Sequence, residues 1–239
     1  MNNKQIIISI KFNSWANSST SEERLGKEWI NYRMSVFMKY TLNSLKNQTN
    51  QNFIALIQYD PQSEETIKDE LKAYKKLPNN IRFVKSSEYS NTLKQLCSGF
   101  EHLYIVRLDS DDMYHKTFID QLYKYNPKKE TEVLLCQNGY IYDSTKHQIT
   151  TTYRKSPPFC ALVYKTEDFL NGKIIVTKNG HTGLIDLKHE ILPGRNFVIV
   201  VHSKNVLTKF NVRKTINNYD GDDVETDPSK VDKILNEFM

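Results

Sequence analysis

The first half of the chain alternates between short apolar runs and amphipathic segments. The apolar, β-branched runs predict strands at 6–12, 53–59, 81–84 and 103–108. Apolar residues three and four positions apart predict helices at 29–45, 64–77 and 90–100. Strands and helices in alternation are typical of a mostly parallel sheet with helices on both faces. We therefore predict an α/β fold built around one central sheet.

The second half of the chain is less regular. Further apolar runs predict strands at 133–142, 149–153, 161–164 and 197–202, and a helix at 117–125. Residues 172–194 mix glycine, histidine and charged residues, which predicts loop and helix. From residue 217 the chain becomes acidic, so we expect a flexible linker with solvated carboxylates, followed by a terminal helix over 231–238.

Composition narrows the class of protein. The 239 residues carry a net charge of +5, from 33 basic and 28 acidic residues, and the basic residues are scattered rather than clustered in a stripe. This distribution argues against a nucleic-acid partner. No run approaches the roughly 18 apolar residues that span a bilayer, and the N-terminus predicts a strand rather than a signal peptide. Membrane contact, if any, is therefore expected to be peripheral.

The cysteines favour a reducing compartment. Cys97, Cys136 and Cys160 are odd in number and form no CxxC pair. Such cysteines are typical of free thiols in a cytoplasmic protein. We therefore expect a cytoplasmic protein, and nothing in the sequence indicates its oligomeric state.

Polar residues follow three of the predicted strands. Asn13, Asp60 and Asp109 each lie just past a strand end, where ligands bind in open α/β sheets. Asp109 is followed by Asp111 and Asp112, and three carboxylates this close repel one another unless a cation neutralises them. Oxygen ligands of this kind suit Mg²⁺ or Mn²⁺. The alternative interpretation is a solvated turn in which Asp112 caps the following helix.

These residues carry a family resemblance. Residues 105–112 resemble the DxD segment of family-2-like glycosyltransferases, which have the Rossmann-like GT-A fold. A narrower likeness to the rhamnosyltransferase branch lies in the spacing of Trp29, Arg33, Phe37, Thr41, Ser44, Gln48, Thr49 and Phe53, and in Val201, His202 and Asn205. Together these segments extend the resemblance over most of residues 5–212. It implies a UDP- or dTDP-sugar donor, a divalent cation (Mn²⁺ or Mg²⁺) and inversion at the anomeric carbon.

The resemblance also implies a role for each matching residue. Asp109 would lie near the donor ribose or sugar and the metal, and Asp111 would bind the metal directly. Phe12 and Asn13 would line the nucleotide pocket, and Asp60 would contact the nucleobase. The remaining candidates for donor and metal contacts are Arg33, Arg107, His181 and His202. Of these, Arg33 and Arg107 would contact phosphates and His202 would complete the metal shell. His181 is a candidate on other grounds, because its loop, residues 179–183, is expected to be flexible and could bring it to donor or acceptor.

Two of these residues have an alternative interpretation that the sequence leaves open. Arg107 could instead pair with a neighbouring aspartate and hold the carboxylate cluster together. His202 could be a half-buried histidine at a strand end, with its hydrogen bonds satisfied inside the protein.

An inverting transfer needs a base that accepts the proton of the acceptor hydroxyl. Asp186 and Glu190 are the candidates, because both lie between His181 and the last predicted strand, and Glu167 and Asp168 are alternatives. The acceptor would be a surface polysaccharide or a glycoprotein. We place the glycosyltransferase domain at 1–216, with its nucleotide-binding half at 1–112 and its acceptor half at 113–216, and a linker and helix at 217–239.

Three other functions compete with sugar transfer. A nucleotidyltransferase would want a glycine-rich, basic loop after the first strand, but residues 13–20 contain no glycine, lysine or arginine. A phosphatase of the DxD type would place its nucleophilic aspartate after the first strand rather than the fourth. A non-catalytic module that binds nucleotide or glycan on the same fold is the third alternative, and the intact aspartates argue against it.

Overall fold

The computed structural model describes residues 3–14, 22–205, 209–210 and 215–239. Within these residues the α-helices are α1 (Lys27–Lys39), α2 (Thr41–Lys46), α3 (Glu64–Leu71), α4 (Tyr89–Cys97), α5 (Phe118–Lys124), α6 (Thr166–Leu170) and α7 (Pro228–Leu235). The strands are β1 (Lys4–Lys11), β2 (Ile54–Tyr59), β3 (Ile81–Lys85), β4 (His102–Asp109), β5 (Met113–Tyr114), β6 (Val133–Leu135), β7 (Asn138–Asp143), β8 (Gln148–Arg154), β9 (Cys160–Lys165), β10 (His189–Ile191), β11 (Arg195–Val201) and β12 (Asn218–Asp220). Short 3-10 helices occupy Glu23–Leu25, Pro61–Ser63 and Gly180–Asp186.

A large central sheet has the strand order β10-β6-β9-β4-β1-β2-β3. Strands β1 to β4 are parallel to one another, and β9 pairs antiparallel with both β4 and β6. The run Ile6–Ile8 at the centre is fully buried, as expected for a parallel strand that is covered on both faces. The prediction of a mostly parallel sheet flanked by helices in a single domain is confirmed.

The second sheet has the order β12-β8-β7-β11-β5. It corrects the prediction of one strand over 133–142, because β6 belongs to the central sheet and β7 to the second sheet. The chain changes sheets at Cys136, whose amide donates to the Phe159 carbonyl. A Cβ at Gly139 would lie 2.5 Å from the Phe197 ring, so the close approach of β7 and β11 requires glycine there.

The helix predicted over 29–45 is two helices, α1 and α2, which meet at Tyr40. Tyr40 has φ −108° and ψ −70°, away from ideal helical values, and its side chain is buried against the second sheet. The amphipathic period continues across this bend, so the sequence pattern alone does not reveal it.

The acidic C-terminal region differs from the expected flexible linker. Asp220 is only 1% exposed, and one of its carboxylate oxygens lies 2.7 Å from Arg154 and 2.6 Å from the Thr152 hydroxyl. The strand β12 that contains it pairs with β8. The expectation of solvated carboxylates is therefore wrong for Asp220.

The predicted terminal helix is present as α7. Asp227 caps its N-terminus by accepting from the Ser229 and Lys230 amides. Its buried residues Val231 and Leu235 join a hydrophobic cluster with residues of α1, β7 and β11, so the helix packs against the rest of the domain. None of the helices in the described residues is long and apolar enough to cross a membrane.

Replacing Leu235 with alanine tests this packing. Leu235 is 1% exposed, and truncating a buried leucine costs about 2–5 kcal/mol through lost burial and the cavity left behind. We expect Leu235→Ala to lower the free energy of unfolding, measured by denaturant titration, by this amount. The control is Lys233→Ala on the exposed side of α7, which should change it by less than about 0.5 kcal/mol. Equal stability of both variants would show that α7 does not pack as described.

Candidate functional site

The ends of β1 and β2 are joined by the buried side chain of Asn13. Its Oδ1 accepts from the Asp60 amide at 2.9 Å, and its Nδ2 donates to the Arg24 carbonyl and to the Ser63 hydroxyl. All the polar atoms of this side chain are therefore used within the protein. The expectation that Asn13 lines the nucleotide pocket is wrong, because its side chain holds two loops together.

Phe12 also lies in the core rather than in a pocket. Its ring is fully buried and packs edge-to-face against Trp29, Phe37 and Phe83, at centroid distances of 6.2, 6.4 and 5.5 Å. A side chain enclosed in this way cannot contact a bound nucleotide, so the predicted role of Phe12 is wrong.

Arg24 is a site residue that the sequence analysis missed. It is buried and donates to an Asp60 carboxylate oxygen at 2.9 Å and to the Asn13 carbonyl at 2.6 Å. The other Asp60 oxygen accepts from the Gln62 amide, so this carboxylate is already paired, and its contact with a nucleobase stays a prediction. No local signal marks Arg24, because its ionic partner lies far away in the sequence.

Asp111 is the centre of a cluster beyond the end of β4. Its Oδ2 lies 3.1 Å from Arg33 Nη1 and 3.1 Å from His202 Nε2. The second terminal nitrogen of Arg33 donates to the Ser110 hydroxyl at 2.6 Å. Burial opposes ionisation of Asp111, but the charge of Arg33 and the His202 hydrogen bond outweigh it and lower the pKa to about 2. Asp111 is therefore an anion at neutral pH.

The imidazole of His202 is held on both sides. Its Nδ1 lies 2.7 Å from the Tyr32 hydroxyl, and its backbone amide donates to Asn205 Oδ1. A carboxylate only accepts, so Nε2 donates to Asp111 in the tautomer that protonates it, with Nδ1 accepting from Tyr32, and the donor Arg33 Nη1 also lies 3.3 Å from Nε2. The Tyr32 hydroxyl can also accept, so it supports the opposite tautomer, in which Nε2 is free to bind a cation.

Polar residues of α2 and the turn after it fix the chain that follows Asp111. The Thr41 hydroxyl donates to the Asp112 carbonyl at 2.9 Å, and the Ser44 hydroxyl bonds both the carbonyl and the amide of Tyr114. Gln48 then donates to the His115 carbonyl. These are three of the spaced residues on which the family resemblance rests, so part of that pattern serves to position the carboxylate segment.

Asp112 is buried and tethers the second sheet. Its Oδ1 accepts from the Val200 amide of β11 at 2.9 Å, and it makes no cap on α5, whose N-cap Thr117 has no side-chain hydrogen bond. Burial, and then the nearby charges of Asp111 and Asp109, raise the pKa of Asp112 well above its ordinary value. The alternative interpretation of Asp112 as a helix cap is therefore wrong.

Asp109 has a different environment from Asp111. It is half-exposed and pairs with Arg107 at 3.2 Å, which is the alternative that the sequence left open for Arg107. Both residues line a cavity of about 350 Å³, together with Lys11 and His181. Burial and the charge of Arg107 lower the pKa of His181 despite the opposing charge of Asp109, so His181 is neutral at pH 7. Asp109 and His181 thus line the same cavity, and their contacts with a donor stay a prediction.

The predicted metal ligands are only partly brought together. Asp111 and His202 share a contact, whereas Asp109 is paired with Arg107, and the described residues contain no group of three or more acidic, histidine or cysteine side chains that could hold a metal. Two protein ligands still suit Mg²⁺ or Mn²⁺, because such ions keep waters and bind substrate phosphates. Arg33 presently neutralises the same Asp111 oxygen that a cation would need.

Glu190 is not placed to act as a base. Its carboxylate accepts from the Tyr125 hydroxyl, the Lys128 amide and the Thr131 hydroxyl, so it joins β10 to the segment after α5. The prediction of a catalytic Glu190 is therefore wrong. Asp186 is exposed on a 3-10 helix, and its role stays a prediction.

Arg33 and Asp111 should depend on each other for stability. Removing one partner of a largely buried pair leaves an uncompensated charge, which costs about 3 kcal/mol or more. We expect Arg33→Gln to lower the free energy of unfolding by about this amount. The double variant Arg33→Gln/Asp111→Asn should recover most of the loss, because no charge is then left unpaired. Additive effects of the two single substitutions in denaturant titrations would contradict the pairing.

Solved structures share this fold. S. aureus TarS 1-349 in complex with UDP-GlcNAc matches with a TM-score of 0.50 and 14% identity, over 84% of this chain and 60% of that chain. TarS 1-349 in complex with UDP matches with a TM-score of 0.46 and 14% identity, over 83% of this chain and 60% of that chain. The chain thus spans about 60% of the length of these structures. At this identity the similarity shows the fold alone, and no curated protein matches the sequence.

The match to a protein-family model identifies the family of the chain as well as its fold. The family described as "Putative rhamnosyl transferase" matches residues 14–205. The matched range contains Arg33, the aspartates that follow β4, and His202, which are the residues that form the Asp111 cluster. The match covers well over half of the chain, and the chain therefore belongs to this rhamnosyl transferase family of glycosyltransferases.

Proposed function

We propose that the protein is a metal-dependent, inverting glycosyltransferase that uses a UDP- or dTDP-sugar donor and a saccharide or glycoprotein acceptor. The observation that carries the proposal is the ionised, largely buried Asp111, held between Arg33 and His202 beyond the end of β4. A fixed anion beside a cationic group at this edge of the sheet suits a metal–diphosphate ligand. Membership of the family supports the same chemistry.

Arginine side chains provide contacts for the diphosphate. The Nε atoms of Arg24 and Arg33 are buried and have no hydrogen-bond partner among the residues that the structure describes, and a buried donor of this kind is costly unless a ligand satisfies it. Guanidinium groups bind phosphate oxygens through paired, charge-assisted hydrogen bonds. Arg33 is the better placed of the two, because it already contacts Asp111 and Ser110.

Asp111 and His202 would hold the divalent cation. When bound, Mn²⁺ or Mg²⁺ acts as a Lewis acid that stabilises the charge of the departing nucleoside diphosphate. The role of Tyr32 is to keep the His202 ring oriented in either tautomer. The role of Ser110 is to hold the Arg33 guanidinium beside the carboxylate through its hydroxyl.

The cavity beside Asp109 would bind the ribose or the sugar of the donor. Asp109 can accept hydrogen bonds from sugar hydroxyls, and the neutral imidazole of His181 can donate or accept. Arg107 fixes the orientation of Asp109 through their ion pair. Asp186, on the same 3-10 helix as His181, is the remaining candidate for the base that takes the proton of the acceptor hydroxyl.

Thermal unfolding with nucleoside diphosphates tests the donor site. A ligand at a hundred times its dissociation constant stabilises the folded state by about 2.7 kcal/mol. We expect UDP or dTDP to raise the melting temperature when Mn²⁺ is present, and to raise it much less without the metal. The nucleotide that gives the larger shift identifies the base of the donor.

Asp111→Asn is the matching variant. It keeps the shape of the side chain but removes the charge that holds the metal, so the Mn²⁺-dependent shift should disappear. Asp69→Asn is the control, because Asp69 is an exposed residue of α3 that pairs only with Lys72 in a surface ion pair. A normal shift in Asp111→Asn, or the absence of any shift in the wild type, would refute the proposed donor site.

A further inference from the structure

The described part of the chain exposes an unusual group of large hydrophobic side chains. Phe100 and Leu170 are 38% and 40% exposed, and Ile174 and Val176 are 71% and 74% exposed. Ile174 and Val176 lie on one loop, on either side of Ile175, which packs in a hydrophobic cluster that also contains Cys97 and Phe169. Ile174 and Val176 are therefore exposed on the outside of that cluster, and we call these two residues the apolar rim.

Ile174 and Val176 project from a loop with a defined backbone. The loop lies between Gly172 and Gly180, both of which have positive φ values, 93° and 57°. Between the two exposed side chains, Ile175 turns inward, and its amide lies 3.1 Å from the Tyr164 hydroxyl. The loop is thus anchored at its middle residue and presents the aliphatic groups on either side to solvent, which is costly unless a partner covers them.

The charged residues of the loop itself are basic. Lys173 and Lys178 flank the exposed aliphatic residues, and no carboxylate occurs between Asp168 and Asp186. Lys173 lies 3.6 Å from Asp168, but both side chains are about half exposed, so this pair is weak. An apolar tip flanked by lysines is complementary to a bilayer surface that contains anionic lipids.

We propose that the apolar rim docks on an anionic phospholipid surface, with Ile174 and Val176 inserted at the interface and Lys173 and Lys178 near the headgroups. The same loop borders the cavity beside Asp109, because Ile175 also lines that cavity. Docking would therefore hold the cavity close to the membrane. The inference does not depend on the identity of the donor.

Vesicle sedimentation tests this proposal with the full chain. Vesicles of phosphatidylcholine alone are compared with vesicles that also contain phosphatidylglycerol. We expect binding to the anionic vesicles, weakened by high salt, and little binding to the neutral ones. The double variant Ile174→Asp/Val176→Asp should lower the partition coefficient at least about tenfold, because it removes apolar groups and adds negative charge at the contact.

Ile216→Asp is the matched control, because Ile216 is 95% exposed and lies before β12 in the second sheet. It should bind vesicles as the wild type does, although it adds the same kind of charge. Circular dichroism and the nucleotide-dependent thermal shift should be unchanged in the double variant, so failure of docking is distinguished from failure of the donor site. Three outcomes would each overturn the proposal. They are equal vesicle binding by the double variant and the wild type, no binding by the wild type, and a wild-type dimer that the substitution Ile174→Asp abolishes.

Discussion

The site depends on the hydrogen bonds between α2 and the chain that follows β4. The Ser44 hydroxyl contacts both the carbonyl and the amide of Tyr114, which fixes the backbone of β5 in both directions. Thr41, one turn before Ser44 in α2, donates a hydrogen bond to the Asp112 carbonyl. These are buried polar groups, so leaving any one unpaired would cost about 1–3 kcal/mol. The backbone that follows Asp111 is thus fixed by hydrogen bonds that do not involve the Asp111 side chain, which is itself held between Arg33 and His202.

The crowding of three carboxylates is resolved differently at each position. Asp109 is half-exposed and has Arg107 beside it, while Asp111 is largely buried and ionised because of Arg33. Asp112 is buried without a cation of its own, and its raised pKa favours the neutral form. The protein therefore offsets part of this charge with its own residues, and metal binding stays a prediction. Two protein cations, Arg107 and Arg33, and the neutral form of Asp112 relieve part of the repulsion.

The sequence pattern was sufficient for the parallel half of the fold but not for the partners of individual side chains. Periodicity predicted β1 to β4 and the helices between them, because each is a local feature of the chain. The break after β6 was missed although Gln137, Asn138 and Gly139 interrupt the apolar run there, because apolar residues on both sides of the interruption suit a single strand. Phe12 was predictable in principle, because alternation from Ile8 through Ile10 places it on the buried face of β1.

Ion pairs between distant segments were the second feature that could not be predicted from the sequence. Asp220 looked like part of a solvated acidic stretch, because its neighbours in sequence are acidic and its partner Arg154 is on another strand. The Arg33–Asp111 pair could be anticipated only as two separate phosphate and metal contacts. Burial decides which charges must pair, and burial is a property of the folded chain rather than of any short window.

The pairing of Arg33 with Asp111 has a consequence for how a metal would bind under the proposed function. The two charges cancel, so a divalent cation placed on Asp111 and His202 would meet the unbalanced charge of Arg33 nearby. A diphosphate brings negative charge that can satisfy both the metal and the guanidinium at once. Metal and nucleotide should therefore strengthen each other's binding, and because such coupling is reciprocal, a calorimetric titration of Mn²⁺ should show markedly tighter binding in the presence of the nucleoside diphosphate. Equal metal affinity with and without nucleotide would mean that the charge of Arg33 does not oppose cation binding at Asp111.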